Sequence, residues 1–282
     1  MSGNMANYNS NPVEYASSDE WQACNVQDVI NDFVEDLRNI SGKCMDVGCG
    51  PGNITRNVIL PNLHPNAVII GTDISATMIE YAKKAYSDNK RLEFEILDIE
   101  TKSLPEKYIS KLDHIFSFHT LQWCNDIRKA FENMYRMLKP GGTILVQFIA
   151  NNTALETIKK LTQDVRFAPY VKKRYTFPFS NSIRPQEELK QLLKDIGFSV
   201  EHCSLCEVDS SNMNLDMYLS SIMSIFPFLD AMPRDKKKEF KVEYPREYKK
   251  INKIKYGVKQ CSGKEESMLN LHTLLIVYAK KY

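Results

Sequence analysis

The chain has 282 residues, 43% hydrophobic and 26% charged, with a net charge of +2 at neutral pH. That balance is ordinary for a globular protein, and it excludes a strongly basic nucleic-acid binder or a chain too polar to build a core. No apolar run approaches the ~18–20 residues of a membrane span, and the polar N-terminus lacks the basic-then-apolar order of a signal peptide, so a cytoplasmic location is expected.

From Asp19 to Ile40 apolar residues recur at helical spacing, which predicts an N-terminal helix over 19–40. "KCMDVGCG" reads as a short strand ending in an acid and a glycine turn. "NITRNVILPNL" reads as helix as far as Pro61, and "AVIIGTDIS" as a second, buried strand. Ser75 is placed to cap the helix "ATMIEYAKKAY". "RLEFEILDIE" is a third strand and "LDHIFSFHTLQW" a fourth. The helix "DIRKAFENMYRML" stops at "KPGG", before a fifth strand, "TILVQFIA". "PQEELKQLLKDIG" is helical, "FSVEHCSLCEV" a sixth strand and "HTLLIVYAKK" a seventh. Strands alternating with helices at short intervals imply an α/β fold with a mainly parallel sheet.

Two segments stand outside this alternation, 151–185 and 211–267, and with helix 19–40 they are expected to cover the carboxyl ends of the strands as a lid. Residues 236–259 contain nine lysines, but Glu239, Glu243 and Glu247 interleave with them, which favours a solvated helix face over a membrane or acidic-partner patch. The seven cysteines are scattered and suggest no disulfide framework. Cys203 and Cys206 form a single C-x-x-C after His202, too few ligands for a zinc site, so no metal is expected.

Glycines at 48, 50 and 52 give G-x-G-x-G. The dinucleotide fingerprint needs its third glycine where Asn53 stands, and a phosphate loop needs a lysine that is absent. Instead three acids end three successive strands: Asp46 before the turn, Asp73 27 residues on, and Asp98 25 further. An acid at the turn suits a cationic group, the second suits two ribose hydroxyls, and the third is within reach of an exocyclic amine. S-adenosylmethionine carries all three features.

"MDVGCGPG", "GTDISATMIEYAKK", "LDIE" and "LKPGGTILV" resemble the class I S-adenosylmethionine-dependent methyltransferases. That resemblance implies a single domain over 1–282, a Rossmann-like seven-stranded sheet closing on an antiparallel C-terminal hairpin. It implies that Asp46, Gly48, Gly50, Asp73, Asp98 and Ile99 hold the cofactor, with Ile74 and Met78 beside the adenine and Ser117 and Phe118 near the methionine end. "NPVEYASSDEWQ", "LDHIFSFHTLQW", "FPFLDAMPRDKKKEF" and "IVYAKK" are similar to the juvenile hormone acid O-methyltransferases, in which a Gln and a Trp bind the substrate carboxylate. By matching position these are Gln22 and Trp123, with Tyr15, His119 and Gln122 also at the substrate. The implied substrate is a small-molecule apolar acid of the farnesoic or juvenile hormone type.

The chemistry fits a carboxyl acceptor. A carboxylate has a pKa of about 4 and is already ionised at neutral pH, whereas an amine or hydroxyl needs a base. His119 is the one candidate base in the loop after the fourth strand. This chain departs from the family in having His119 for a Tyr and Gln122 for a His. "LQW" also resembles bacterial carboxyl methyltransferases acting on trans-aconitate or a malonyl-carrier protein. Another acid, or an O or N nucleophile served by His119, therefore stays open.

Overall fold

The computed structural model describes residues 12–17, 20–171, 177–224, 226, 228–256 and 270–282. The helix expected over 19–40 is realised as α2 (Glu20–Asp32) and α3 (Val34–Leu37), with α1 (Pro12–Ser17) before it. Periodicity did not mark α1. The expected continuous helix breaks at Phe33, whose φ of −111° and ψ of 15° leave the helical region.

Strand β1 (Lys43–Val47) is buried along its last four residues, as befits a central strand covered on both faces. The following helical stretch is wound as a π-helix over Thr55–Ile59. It then tightens to a 3-10 turn, Leu60–Asn62, with Pro61 where its missing N–H is tolerated. Next come β2 (Val68–Asp73), α4 (Ala76–Ala85), β3 (Leu92–Ile96) and β4 (Leu112–Phe118). The fourth strand stops short of Trp123 because His119 turns the chain at φ +51°, and Leu121–Trp123 forms a 3-10 turn. After α5 (Ile127–Met137), strand β5 (Leu138–Asn152) takes in the "LKPGG" expected to be a turn. Leu138 pairs with Leu112, and the register shifts before Thr143.

Helix α6 (Thr153–Leu161) opens the first insertion, and α7 (Pro185–Ile196) leads to β6 (Phe198–Asp209). The second insertion holds α8 (Leu215–Ser224), α9 (Phe228–Ala231) and α10 (Arg234–Tyr256), and β7 (Leu271–Lys281) completes the sheet. The strand order is β3-β2-β1-β4-β5-β7-β6, parallel throughout except that β7 runs antiparallel to both β5 and β6.

Side chains alternate between two cores. Met45, Val47 and Ile115 join α5 and α7 on one face, while Cys44, Phe116 and Phe118 join α2 and α4 on the other. Cys203 packs on the first face and Cys206 on the second, so these two thiols cannot converge on one ion. A third core unites the insertions: Phe167, Phe177, Tyr218, Phe226, Phe228 and Phe240 are buried against one another over the carboxyl end of β5.

Candidate active site

The carboxyl ends of β1, β2, β3 and β4 meet in one cavity. Its walls bring together Gly48 and Gly50, Asp73 and Ile74, Met78, Asp98 and Ile99, and Phe118, His119 and Trp123, with Tyr15 and Gln22 closing it from α1 and α2. Strand ends gather here because a parallel sheet points every carboxyl terminus the same way.

The glycine loop is held from two sides. The Gly48 and Cys49 N–H groups donate to Thr72 O at 2.7 and 2.9 Å, and the Gly50 N–H donates to Asp73 Oδ2 at 3.0 Å. Gly48 has φ +77°, and a Cβ there would lie 2.1 Å from the Thr120 side chain. That residue must be glycine both for its backbone and for the approach of the β4 loop. The Thr120 hydroxyl stands 3.1 Å from Gly48 O, tying the two loops together.

Asp73 Oδ1 accepts from the Ser75 N–H at 2.8 Å, so backbone donors orient both carboxylate oxygens at the cavity wall. Burial raises its pKa, and the N–H groups of Ser75, Gly50 and Ile74 offset part of that rise. Ser75 Oγ caps α4 by accepting from the Met78 N–H at 3.4 Å. Asp98 lines the cavity, with Oδ1 accepting from the Glu100 N–H at 2.8 Å. Carboxylates at two strand ends, apolar Ile74, Met78 and Ile99 beside them, and a glycine turn without side chains fit a nucleoside bearing a cationic tail.

Three expected residues lie behind the cavity wall. Asp46 is 3% exposed and accepts from the Thr55 hydroxyl at 2.6 Å, because strand alternation turns it to the face covered by Thr55–Ile59. Burial pushes its pKa up to about 7; Thr55 draws it down and nearby Asp73 adds to the rise. Ser117 donates to Val47 O at 2.9 Å. Gln122 donates to His119 O at 2.6 Å and accepts from the Ile149 N–H at 3.4 Å, so it braces the loop.

At the mouth, the Trp123 ring meets Phe177 and Phe226 edge-on at 5.7 and 5.8 Å. Among the described residues, neither the Trp123 indole N–H nor the Gln22 amide has a hydrogen-bond partner, and both residues face the cavity. His119 is 9% exposed, and neither ring nitrogen has a partner among the described residues. Burial lowers its pKa to about 4, so the ring is uncharged at neutral pH.

Sequence reasoning counted Trp21 only as part of a helix stripe. Its indole N–H donates to Ser210 Oγ at 2.5 Å, and its ring lies 4.5 Å from His272 and 5.3 Å from His119. These partners sit 189, 251 and 98 positions away, so no local signal could have found them.

A family model described as a methyltransferase domain matches residues 45–146. The chain is 30% identical over 240 residues to the juvenile hormone acid O-methyltransferase of Drosophila melanogaster, covering 84% of this chain and 80% of the relative. It is 27% identical to the malonyl-[acyl-carrier protein] O-methyltransferase 2 of Ilyobacter polytropus, covering 90% of this chain and 89% of that one. Among solved structures, phosphoethanolamine N-methyltransferase 2 of Haemonchus contortus, in complex with S-adenosylhomocysteine, superposes with a TM-score of 0.55 at 17% identity. The match covers 94% of this chain and 56% of that one.

Proposed function

The chain belongs to the juvenile hormone acid O-methyltransferase family of class I S-adenosylmethionine-dependent methyltransferases, and we propose that it esterifies the carboxylate of an apolar acid of the farnesoic or juvenile hormone type. The observation that carries this reading is the pair of uncommitted neutral donors, the Gln22 amide and the Trp123 indole, facing one cavity beside the cofactor acids. The whole chain, 1–282, acts in this reading as one catalytic domain, with α1, α2 and the two insertions as its substrate cap.

S-adenosylmethionine supplies an electrophilic methyl group. Asp73 and Asp98 bind the cofactor's nucleoside, and the bare backbone of Gly48 and Gly50 admits its tail. Asp46, one layer below, adds negative charge under the loop. Gln22 and Trp123 each donate to one carboxylate oxygen and leave the other free to attack. Neutral donors orient the anion without quenching its charge. Ester formation consumes that charge, so a site from which Tyr15, Phe118 and Trp123 exclude water favours the reaction. Alignment within the cavity supplies much of the rest.

An amine or hydroxyl acceptor would call on His119 as base, and burial makes that ring a weak one. A second reading, a shorter or more polar acid, draws on the packing of Phe167, Phe177 and Phe226 into the core of the cap.

Replacing Gln22 or Trp123 with Ala is expected to lower kcat/KM for the acid roughly 10- to 100-fold, the value of a hydrogen bond to a charged group. The dissociation constant for S-adenosylhomocysteine, read by calorimetry, should hold within about twofold. Unchanged turnover in both variants would remove their assigned roles.

A further inference from the structure

Helix α10 is basic in sequence, with ten Lys and Arg against four Asp and Glu, and the fold sorts these charges further. Glu239, Glu243 and Glu247 recur every four residues and form one stripe. That stripe turns toward α6 and the loop after it. Glu239 accepts from Arg166 at 3.1 Å and from Lys236 at 2.8 Å. Glu243 faces Arg166 at 3.8 Å, and buried Glu247 pairs with Lys160. Beside the acids a second stripe, Phe240, Tyr244 and Tyr248, is fully buried in the core of the cap.

Beyond the first turn, where Asp235 is exposed, what remains on the outside has one sign. From Lys238 to Lys255 every exposed residue of α10 is Lys, Arg, Val or Ile. Among the described residues Lys238, Lys241, Lys249, Lys250 and Lys253 form no ion pair. Val242 and Ile254 stand among them, 71% and 76% exposed. At a rise of about 1.5 Å per residue this face is on the order of 25 Å long.

We propose that this face of α10 docks the protein on an anionic membrane surface, with the helix parallel to the bilayer plane. Flexible lysines suit mobile lipid phosphates, whose attraction extends over about a Debye length. Val242 and Ile254 decide among polyanions: exposed aliphatic side chains on a cationic face gain from the headgroup–acyl boundary, and a phosphate backbone or a polar acidic protein surface has no use for them. The face belongs to the cap, so docking would bring that cap against the phase into which an apolar acid partitions. The docking itself is independent of the substrate reading, and its test needs no substrate.

The test is co-sedimentation of the full chain with phosphatidylcholine vesicles, with or without phosphatidylserine at about one lipid in three. Binding to the anionic vesicles alone, lost at about 0.5 M salt, is the expected result. Reversing both Lys249→Glu and Lys253→Glu should lower the partition coefficient at least about tenfold, since each basic residue contributes separately near the surface. Both sites are exposed, so the thermal transition should not change. Equal partition onto both vesicle types, or an unaffected double variant, would overturn the proposal. Binding to an acidic protein but not to vesicles, abolished by the same variant, would also overturn it.

Discussion

At the scale of single residues, burial does the electrostatic work. Asp46 and Asp73 are both desolvated, and in the free protein Asp46 is held up to about 7. A cationic cofactor stabilises the ionised carboxylate and draws that pKa down. Below about 7, binding must therefore expel a proton; above it, the carboxylate is already charged. Affinity for S-adenosylmethionine should be complete above about pH 7 and weaken as pH falls through it, by at most about tenfold per pH unit. Calorimetry from about pH 5.5 to about 8, in buffers of different ionisation enthalpy, reads both the constant and the released proton. A constant affinity with no proton release would contradict this role for Asp46. His119 differs in kind: both ring nitrogens are buried without a partner among the described residues, and the ring is uncharged, so it does not titrate near neutrality.

At the scale of elements, the cavity depends on how α2 is pinned. Gln22 reaches the cavity from the first turn of α2, and its neighbour Trp21 ties that turn to distant parts of the chain. The ring packs on His272 of β7, on His119 after β4 and, at 6.2 Å, on Tyr218 of α8. Aromatic contacts of this kind are worth about 0.5–1.5 kcal/mol each beyond burial. Trp21→Ala should therefore raise the KM for the acid by about tenfold or more and leave cofactor affinity within about twofold. Trp21→Phe, which keeps an aromatic ring but loses the indole N–H bond to Ser210, should recover most of the loss. Steady-state kinetics on both variants decides it: if Trp21→Ala has an unchanged KM, α2 is positioned by something else.

At the scale of the whole molecule, the alternating core was legible because each strand ends in a local turn signal and each helix keeps a clean apolar period. The glycine loop and the acids at positions 73 and 98 could be read for the same reason, since they mark strand ends. Other features depend on contacts that no window of sequence contains. The break at Phe33, the extension of β5 through Gly141 and the π-helical winding at Thr55 are settled by packing. Asp46, Ser117 and Gln122 sit in the expected segments, yet alternation and the turn after His119 direct them away from the cavity. The acids of α10 are drawn away from its basic outer face by Arg166 and Lys160, which the fold brings against them. The central claim is carboxyl methylation of an apolar acid, and the most direct measurement is transfer of label from methyl-labelled S-adenosylmethionine. The acceptors would be farnesoic acid, juvenile hormone acid, lauric acid, trans-aconitate and a malonyl thioester. Label is expected in the methyl esters of the isoprenoid acids. Label confined to a polar acid, or none at all with saturable cofactor binding, would contradict the claim.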